Sequence, residues 1–191
     1  MCAENTAMKV RIPASTSNIG SGFDVAGLAL QMYLEVEAVA EGKELVIEPE
    51  GVGASQIPVD ESNLIFRMIR EHAGEAVPAG LRLKIRNDIP LTRGFGSSAA
   101  AIVAGTALGS WIKLGTPPER QYVLEAATAT EGHPDNASAA VLGGLTISAV
   151  IEGQVEATSL RLPHGIEVVA LIPDREIETK KARDVLPLSI P

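Results

Sequence analysis

The sequence predicts an α+β protein with one sizeable domain and part of a second. Alternating apolar residues indicate strands near both ends of the chain, whereas the stretch from about residue 63 to residue 130 carries mostly helical patterns. Blocks of strands and blocks of helices follow one another, without the repeated βαβ units of a parallel α/β fold. A content of 46% hydrophobic residues among 191 is sufficient to bury one such core.

In the first half of the chain, strands are indicated by period-two alternation and helices by apolar residues three and four positions apart. Polar residues without any period are expected to form a disordered tail. The predicted elements are a tail (residues 1–7), a strand (8–12), two antiparallel strands (34–39 and 45–48) joined through Glu41-Gly42-Lys43, a helix (63–72) and a strand (81–86).

A loop predicted between the first two strands contains small and polar residues. Residues 15–24 include Asn18 and Asp24 among serine, threonine and glycine, which is typical of a substrate-contacting loop on a rigid scaffold. The alternative is that both side chains only satisfy the hydrogen bonds of their own turns. The residues alone leave both interpretations open.

The second half of the chain combines small-residue helices with further strands. Glycine pairs and polar clusters mark the breaks between these elements. The predicted elements are a helix (99–114), a helix (119–130), a polar turn (131–136), a small-residue run (137–142), two strands (145–150 and 155–162), a more continuously apolar, buried strand (166–172) and a short basic helix (179–185).

A glycine-containing turn precedes the first of these helices. Gly94 and Gly96 allow the backbone to approach a ligand closely, and Ser97 and Ser98 stand where a helix leaves its first N–H groups unpaired. Such a turn is suited to bind a polyanion such as a phosphate chain. The alternative is an ordinary turn in which Ser97 caps the helix.

Composition excludes several classes of partner. The net charge of −8 argues against a general nucleic-acid or anionic-membrane surface, because both favour a basic face. The single cysteine, Cys2, excludes an internal disulfide and a cysteine-based zinc cluster. No signal peptide is apparent, and the apolar run from Ala99 to Trp111 is too short to span a bilayer. We therefore expect a cytoplasmic protein.

The glycine-containing turn resembles the ATP-phosphate motif of the GHMP small-molecule kinases, which usually carry leucine where this chain has Phe95. The resemblance implies ATP and Mg²⁺ as cofactors and an amino-terminal domain similar to domain 2 of ribosomal protein S5. The ATP-binding residues that it implies are Pro90, Leu91, Thr92, Arg93, Gly94, Phe95, Gly96, Ser97, Ser98, Ala99 and Ala100.

Two oxygen ligands are expected for the magnesium ion. Ser98 offers a hydroxyl, and Mg²⁺ needs few protein ligands because it retains several waters. In the related kinases a carboxylate lies on the helix before the His-x-Asp-Asn block, eight residues before the histidine, which corresponds to Glu125. Glu131 is the competing candidate, but its position beside the turn favours a solvated helix end.

Three further motifs resemble those of homoserine kinases, and the agreement extends over nearly the whole chain. They are Ser17-Asn18-Ile19-Gly20-x-Gly22-Phe23-Asp24, His133-Pro134-Asp135-Asn136 and Thr179-x-x-Ala182-Arg183. The resemblance implies L-homoserine and ATP as substrates. It assigns Asn18, Asp24, His133 and Arg183 to binding of the amino acid, and Asp135, Asn136 and Thr179 to catalysis, without fixing a proton acceptor.

The resemblance also indicates an incomplete chain, since these kinases are considerably longer and carry a third, glycine-rich motif in their carboxy-terminal half. A second arginine that the family uses for the substrate carboxylate is missing too. We expect an ATP-binding domain over residues 8–162 and the start of a truncated ferredoxin-like domain over residues 163–191, with weak binding and poor turnover. These kinases are often homodimers, although no stretch here indicates an interface. The alternatives are a GHMP kinase for a mevalonate, sugar or shikimate-type alcohol, and a non-catalytic nucleotide-binding or oligomerisation module.

Overall fold

The computed structural model describes residues 7–17 and 19–172, and the α+β class predicted from the sequence is confirmed. One mixed sheet of six strands forms the scaffold. The strands are β1 (Met8–Ser17), β2 (Ala26–Ala40), β3 (Leu45–Gly51), β4 (Leu81–Asn87), β5 (Leu145–Ile151) and β6 (Gln154–Leu160).

Four α-helices and three short 3₁₀ turns complete the described residues. The helices are α1 (Leu64–Ala73), α2 (Ser97–Leu114), α3 (Arg120–Glu131) and α4 (Asp135–Leu142), and the 3₁₀ turns cover Gly20–Gly22, Ala54–Gln56 and Gly74–Ala76. The helix predicted at residues 63–72 is α1, and Asn63 caps it, because its side chain accepts hydrogen bonds from the N–H groups of Ile65 and Phe66. The small-residue run after the polar turn is helical, which the sequence analysis did not specify.

The long strand β2 organises the sheet. β1 runs antiparallel along one side of β2, whereas β4 and β5 share the other side, at residues 34–40 and 26–28 of β2 respectively. β2 therefore begins at Ala26 rather than at residue 34, and it connects both halves of the molecule.

The predicted antiparallel pairing of the strands on either side of Glu41-Gly42-Lys43 is wrong. β4 lies between β2 and β3, and β3 pairs with β4 in the parallel direction. A parallel pair requires a crossover connection, which the segment containing α1 provides. The turn after β2 pairs instead with the residues before β4, since the N–H of Glu41 donates to the carbonyl oxygen of Gly80 at 3.2 Å.

The core lies between one face of the sheet and the helices. α2 is at its centre and is buried along most of its length, consistent with its alanine-rich and charge-poor sequence. α1 packs closely on α2, where Gly105 and Gly109 leave room for the backbone of Ile65 and Ile69. Together, these contacts fix the start of α2, which follows the glycine-containing turn.

Of the predictions for the two ends of the chain, one is wrong and the others lie mostly outside the described residues. Residues 166–172 were expected to form a buried strand, but they form no strand, and Val169 and Leu171 are 83% and 87% exposed. Apolar composition predicted burial, yet these residues have no neighbouring strand to pair with among the described residues. The expected helix at 179–185 and most of the tail at 1–7 lie outside the described residues. The domain boundaries at 8–162 and 163–191 remain predictions.

Candidate active site

The glycine-containing turn joins β4 to α2 and adopts a left-handed backbone at three positions. The φ angles of Thr92, Gly94 and Gly96 are 54°, 76° and 64°. Glycine adopts such angles without steric cost, so both glycines are explained by the shape of the turn. Gly96 is the N-cap of α2, and because it has no side chain, no side-chain hydrogen bond caps the helix.

The backbone N–H groups of this turn remain available. Within residues 7–17 and 19–172, no N–H group from Gly94 to Ala99 donates a hydrogen bond to another protein group. The first helical hydrogen bond at this end is donated by the N–H of Ala100 to the carbonyl oxygen of Gly96, at 2.9 Å. Six consecutive donors thus meet the positive end of the dipole of an 18-residue helix.

The floor of the turn is fixed by β1 and α4. The N–H of Ser15 donates to the carbonyl oxygen of Phe95 at 3.1 Å, and its hydroxyl donates to Asn136 Oδ1 at 2.9 Å. Asn136 Nδ2 in turn donates to Ser17 Oγ at 3.0 Å. The Asn136 side chain therefore holds β1 beside the turn, and its hydrogen bonds to these two serines largely occupy its amide group.

Ser98 and Glu131 meet at the mouth of the turn. Ser98 is exposed, and its hydroxyl donates to Glu131 Oε1 at 2.8 Å. The pairing of Ser98 with Glu125 is wrong, because exposed Glu125 accepts a hydrogen bond from Gln121 at 2.8 Å and does not line the cavity described below. Gly132, with a φ angle of 86°, ends α3 directly after Glu131 and brings that residue close to His133.

His133 and Asp135 form a close pair beneath the cavity. His133 Nδ1 lies 2.6 Å from Asp135 Oδ1, and the N–H of Asn136 donates to the same oxygen at 2.6 Å. The Asp135 side chain is completely buried, whereas that of His133 is 21% exposed. The Asp135 carboxylate thus faces the imidazole and the first turn of α4 and does not line the cavity described below, and its predicted catalytic role remains a prediction.

The remaining predicted substrate residues are divided between described and undescribed parts of the chain. Asp24 is half-buried in the turn before β2, with a φ angle of 57°, and it does not line the cavity. Asn18, Thr179 and Arg183 lie outside the described residues. Their predicted roles therefore remain predictions.

A cavity of about 770 Å³ extends from His133 past the turn to α1. Its polar lining includes Ser17, Ser98 and Glu131. Its apolar lining includes Leu34, Ile57, Leu64, Ile65, Ile85 and Leu91. A lining that combines hydrogen-bond donors with apolar side chains suits a ligand with an anionic chain and a flat, poorly hydrated ring.

Two buried asparagines in the wall of the cavity have structural roles. Asn63 Nδ2 donates to the carbonyl oxygen of Pro58 at 2.7 Å while its Oδ1 caps α1. Asn87 Nδ2 donates to the carbonyl oxygens of Val52 and Ile89 at 2.7 and 2.9 Å. Because both amides already have partners, they shape the cavity and offer little hydrogen bonding to a ligand.

Sequence reasoning missed some residues of this site. Ser15 and Ser17 were assigned to a loop because of the local composition, although both lie within the last three residues of β1. Glu131 was considered and set aside. The signal for it is periodicity, since Leu124 and Ala127 form the buried face of α3 and Glu131 continues that stripe at helical spacing. Glu125 falls off the stripe.

Comparison with known proteins identifies relatives for most of the chain. Residues 63–144 match the model of the GHMP kinases N terminal domain. The homoserine kinase of Petrotoga mobilis is 38% identical over 188 residues, which cover 96% of this chain and 60% of that protein. The homoserine kinase of Carboxydothermus hydrogenoformans is 42% identical over 185 residues, covering 95% and 60%.

Solved structures agree with these relatives. The structure of a putative homoserine kinase from Listeria monocytogenes superposes with a TM-score of 0.73 at 34% identity, covering 94% of this chain and 64% of that one. The chain thus spans about three fifths of the length of the curated relatives.

No helix within residues 7–17 and 19–172 combines the length and the apolarity that crossing a membrane requires.

Proposed function

This chain belongs to the GHMP kinases and is homologous to the homoserine kinases, and from that premise we propose that it supplies the nucleotide site and part of the acceptor site for ATP-dependent phosphorylation of the side-chain hydroxyl of L-homoserine. The product would be O-phospho-L-homoserine. Because the chain covers 60% of these relatives, the activity proposed is that of the whole kinase.

The observation that carries the proposal is the row of N–H groups from Gly94 to Ala99 that have no protein partner among the described residues. The residues that carry these donors line the 770 Å³ cavity. Fixed donors in a partly enclosed site bind the phosphate chain of ATP without reorganisation, and they continue to stabilise it as negative charge redistributes during transfer. The apolar side chains that line the cavity would accept the base.

The residues present also fit a magnesium ion. Ser98 Oγ and Glu131 Oε1 lie 2.8 Å apart at the mouth of the turn, so one hydroxyl and one carboxylate would hold the ion. Mg²⁺ prefers oxygen ligands and keeps several waters, so two protein ligands are sufficient. When bound, the ion neutralises charge on the transferred phosphoryl group. Glu125 is not part of this proposal.

The acceptor would bind at the end of the cavity near His133. By family resemblance, Asp24, which does not itself line the cavity, takes the ammonium group, Arg183 takes the carboxylate, and Asn18 and Thr179 complete the contacts. A zwitterion requires one fixed charge of each sign, which Asp24 and Arg183 supply. A hydroxy acid or sugar without an ammonium group would leave Asp24 without that role, so the homoserine substrate is favoured over other GHMP substrates.

The described part of the site favours a mechanism of positioning. Among the described residues that line the cavity, Glu131 is the only carboxylate, and it is assigned to the metal. Asp135 is completely buried, contacts His133 and does not line the cavity. We therefore assign the chemistry to in-line alignment of the hydroxyl and to stabilisation of the phosphate charge by the turn, without a carboxylate base.

A comparison of Glu131→Gln with Glu125→Gln tests the nucleotide site. Isothermal titration calorimetry of this chain with ATP should give about tenfold weaker binding for Glu131→Gln in Mg²⁺, because one ligand charge is lost. In EDTA the same variant should bind ATP as well as or better than wild type, since a carboxylate next to the phosphates is repulsive. Glu125→Gln should match wild type in both buffers.

Equal losses for the two variants, or no binding of Mg-ATP by wild type, would contradict the proposed nucleotide site. Phosphoryl transfer is then tested by ³¹P NMR with ATP, Mg²⁺ and L-homoserine. Appearance of a phosphomonoester that depends on homoserine supports the proposed activity. Binding of Mg-ATP without such a product would instead favour the non-catalytic nucleotide-binding module.

A further inference from the structure

Asp135 occupies an unusual position for a carboxylate. It is the first residue of α4 and its side chain has no solvent exposure. One oxygen, Oδ1, receives the N–H of Asn136 and lies 2.6 Å from His133 Nδ1. The other oxygen, Oδ2, is buried without a hydrogen-bond partner among the described residues. Burying a carboxylate with one oxygen unpaired costs free energy, so a compensating role is expected.

The contact between His133 and Asp135 favours one position for the hydrogen on the imidazole. An ionised carboxylate only accepts hydrogen bonds, so a hydrogen bond over the 2.6 Å between Asp135 Oδ1 and His133 Nδ1 calls for the proton on Nδ1. In a neutral ring the other nitrogen, Nε2, is then a hydrogen-bond acceptor. Within the described residues, the bond to Asp135 is the only hydrogen bond of His133, and the ring lines the cavity.

The orientation of the Asp135 backbone is also fixed. Its carbonyl oxygen accepts a hydrogen bond from Ser138 Oγ at 2.9 Å, and Ser138 bonds in turn to Thr146 at 3.0 Å. Gly27 of β2 packs so closely on the same carbonyl that a Cβ there would overlap it. These contacts hold Asp135 in one place relative to the sheet, which makes it a firm anchor for the imidazole.

We propose that Asp135 is a positioning residue that holds His133 in its Nδ1–H form, so that Nε2 accepts a hydrogen bond from an N–H or O–H group of the phosphoryl acceptor. This inference rests on the proposed function for the identity of the acceptor. It assigns Asp135 neither a contact with substrate nor a proton transfer. Its consequence is selectivity, because an acceptor at Nε2 favours an ammonium or hydroxyl group and disfavours a carboxylate.

The tautomer can be measured without any ligand. Long-range ¹H–¹⁵N NMR of this chain, recorded above the pH range in which imidazole titrates, distinguishes a protonated Nδ1 from a protonated Nε2. The signals of His133 are identified by their loss in His133→Gln, since the sequence contains only three histidines. Wild type should show a protonated Nδ1, whereas a histidine without a partner usually prefers a protonated Nε2.

Two substitutions separate positioning from folding. Asp135→Asn retains an oxygen that can accept both hydrogen bonds, so it should largely keep the Nδ1–H form. Asp135→Ala removes the acceptor and should shift His133 towards the Nε2–H form. Backbone ¹H–¹⁵N spectra show whether each variant is folded. If Asp135→Ala does not fold, the tautomer of wild type and of Asp135→Asn still decides the inference.

Ligand titrations followed by NMR then test the acceptor. Asp135→Ala should weaken binding of L-homoserine about tenfold, the value of one hydrogen bond, and should add little when His133 is already glutamine. The same loss with 2-aminobutyrate, which lacks the hydroxyl, would identify the ammonium as the donor. The same loss with 4-hydroxybutyrate, which lacks the ammonium, would identify the hydroxyl.

A protonated Nε2 in wild type would overturn the inference. It would also be overturned if the losses in homoserine affinity caused by Asp135→Ala and His133→Gln simply added up in the double variant. Failure of the proposed function has a different signature. If L-homoserine causes no spectral change in wild type, the proposed substrate is wrong, while the tautomer measurement still decides the role of Asp135.

Discussion

Replacing Gly96 by alanine should destabilise the fold far more than the same change at Gly94. Both residues have left-handed backbones, with φ angles of 64° and 76°, so both substitutions introduce similar backbone strain. At Gly94 a Cβ would have no heavy atom within 4 Å. At Gly96 it would overlap Ser15 Oγ and lie 3.0 Å from the carbonyl oxygen of Ser15 and 3.2 Å from Asn136 Oδ1.

These contacts allow the magnitude to be estimated. Left-handed strain for alanine costs about 1 kcal/mol at either position. At Gly96 the overlap must also displace Ser15, which loses its hydrogen bond to Asn136, worth about 1 kcal/mol. Overpacking against the strand adds about 1 to 2 kcal/mol. The expected losses are therefore about 1 kcal/mol for Gly94→Ala and about 3 to 4 kcal/mol for Gly96→Ala.

Urea denaturation measures both losses. The only tryptophan, Trp111, lies on α2 and reports on the unfolding of the helix that begins at this turn. The midpoint should fall clearly further for Gly96→Ala at an unchanged m-value. Losses within about 0.5 kcal/mol of each other would refute the assignment of Gly96 as a close-contact position, because strain alone would then explain both variants.

Two further predictions concern the helices that support the turn. Gly109→Ala should lower the free energy of unfolding by about 2 kcal/mol, because its Cβ would lie 2.7 Å from the carbonyl oxygen of Ile69 on α1. Thermal unfolding measures this loss, and the control Ala107→Gly is expected to cost only about 1 kcal/mol. A loss for Gly109→Ala that is smaller than the loss for this control would contradict close packing of α1 on α2. Burial lowers the pKa of His72, so below about pH 6.5 the unfolded chain binds a proton more readily than the folded chain, and stability should decrease as the pH falls. His72→Gln should reduce this loss of stability between pH 7 and 5, measured by urea titrations, whereas His164→Gln, at an exposed position, should not. Equal slopes of the free energy of unfolding against pH for wild type and both variants would disprove the assignment to His72.

Local elements were predicted well from the sequence, but strand pairing was not. Period-two alternation located β4 and the first half of β1, and helical spacing located α1, because burial on one face requires those periods. Helix-forming composition located α2, and the Gly-Pro break after it located the start of α3. The same alternation cannot distinguish a parallel neighbour from an antiparallel one. β3 was therefore assigned to a hairpin with β2, whereas α1 returns the chain so that β4 lies between them.

The shape of the glycine-containing turn could be predicted because its determinants are local. Glycines with positive φ angles, unpaired N–H groups and the start of a helix all occur within a few residues, so sequence order places them together. The floor of the same site could not be predicted. Ser15 and Asn136 are separated by 121 positions, and only the folded sheet brings them to hydrogen-bonding distance.

The choice between Glu125 and Glu131 shows how helical periodicity can improve on counting along the chain. Six positions on a helix correspond to about 9 Å along its axis and to a rotation of about 240°, so the two carboxylates point in different directions. Leu124 and Thr128 are buried against the core, and the position that continues this face to the end of α3 is Glu131. The turn that follows contains only Gly132 before His133, so Glu131 lies at the cavity. Counting eight residues back from His133 therefore selects Glu125, about 1.7 helical turns before Glu131. The buried face of the helix instead identifies Glu131, the carboxylate that meets Ser98.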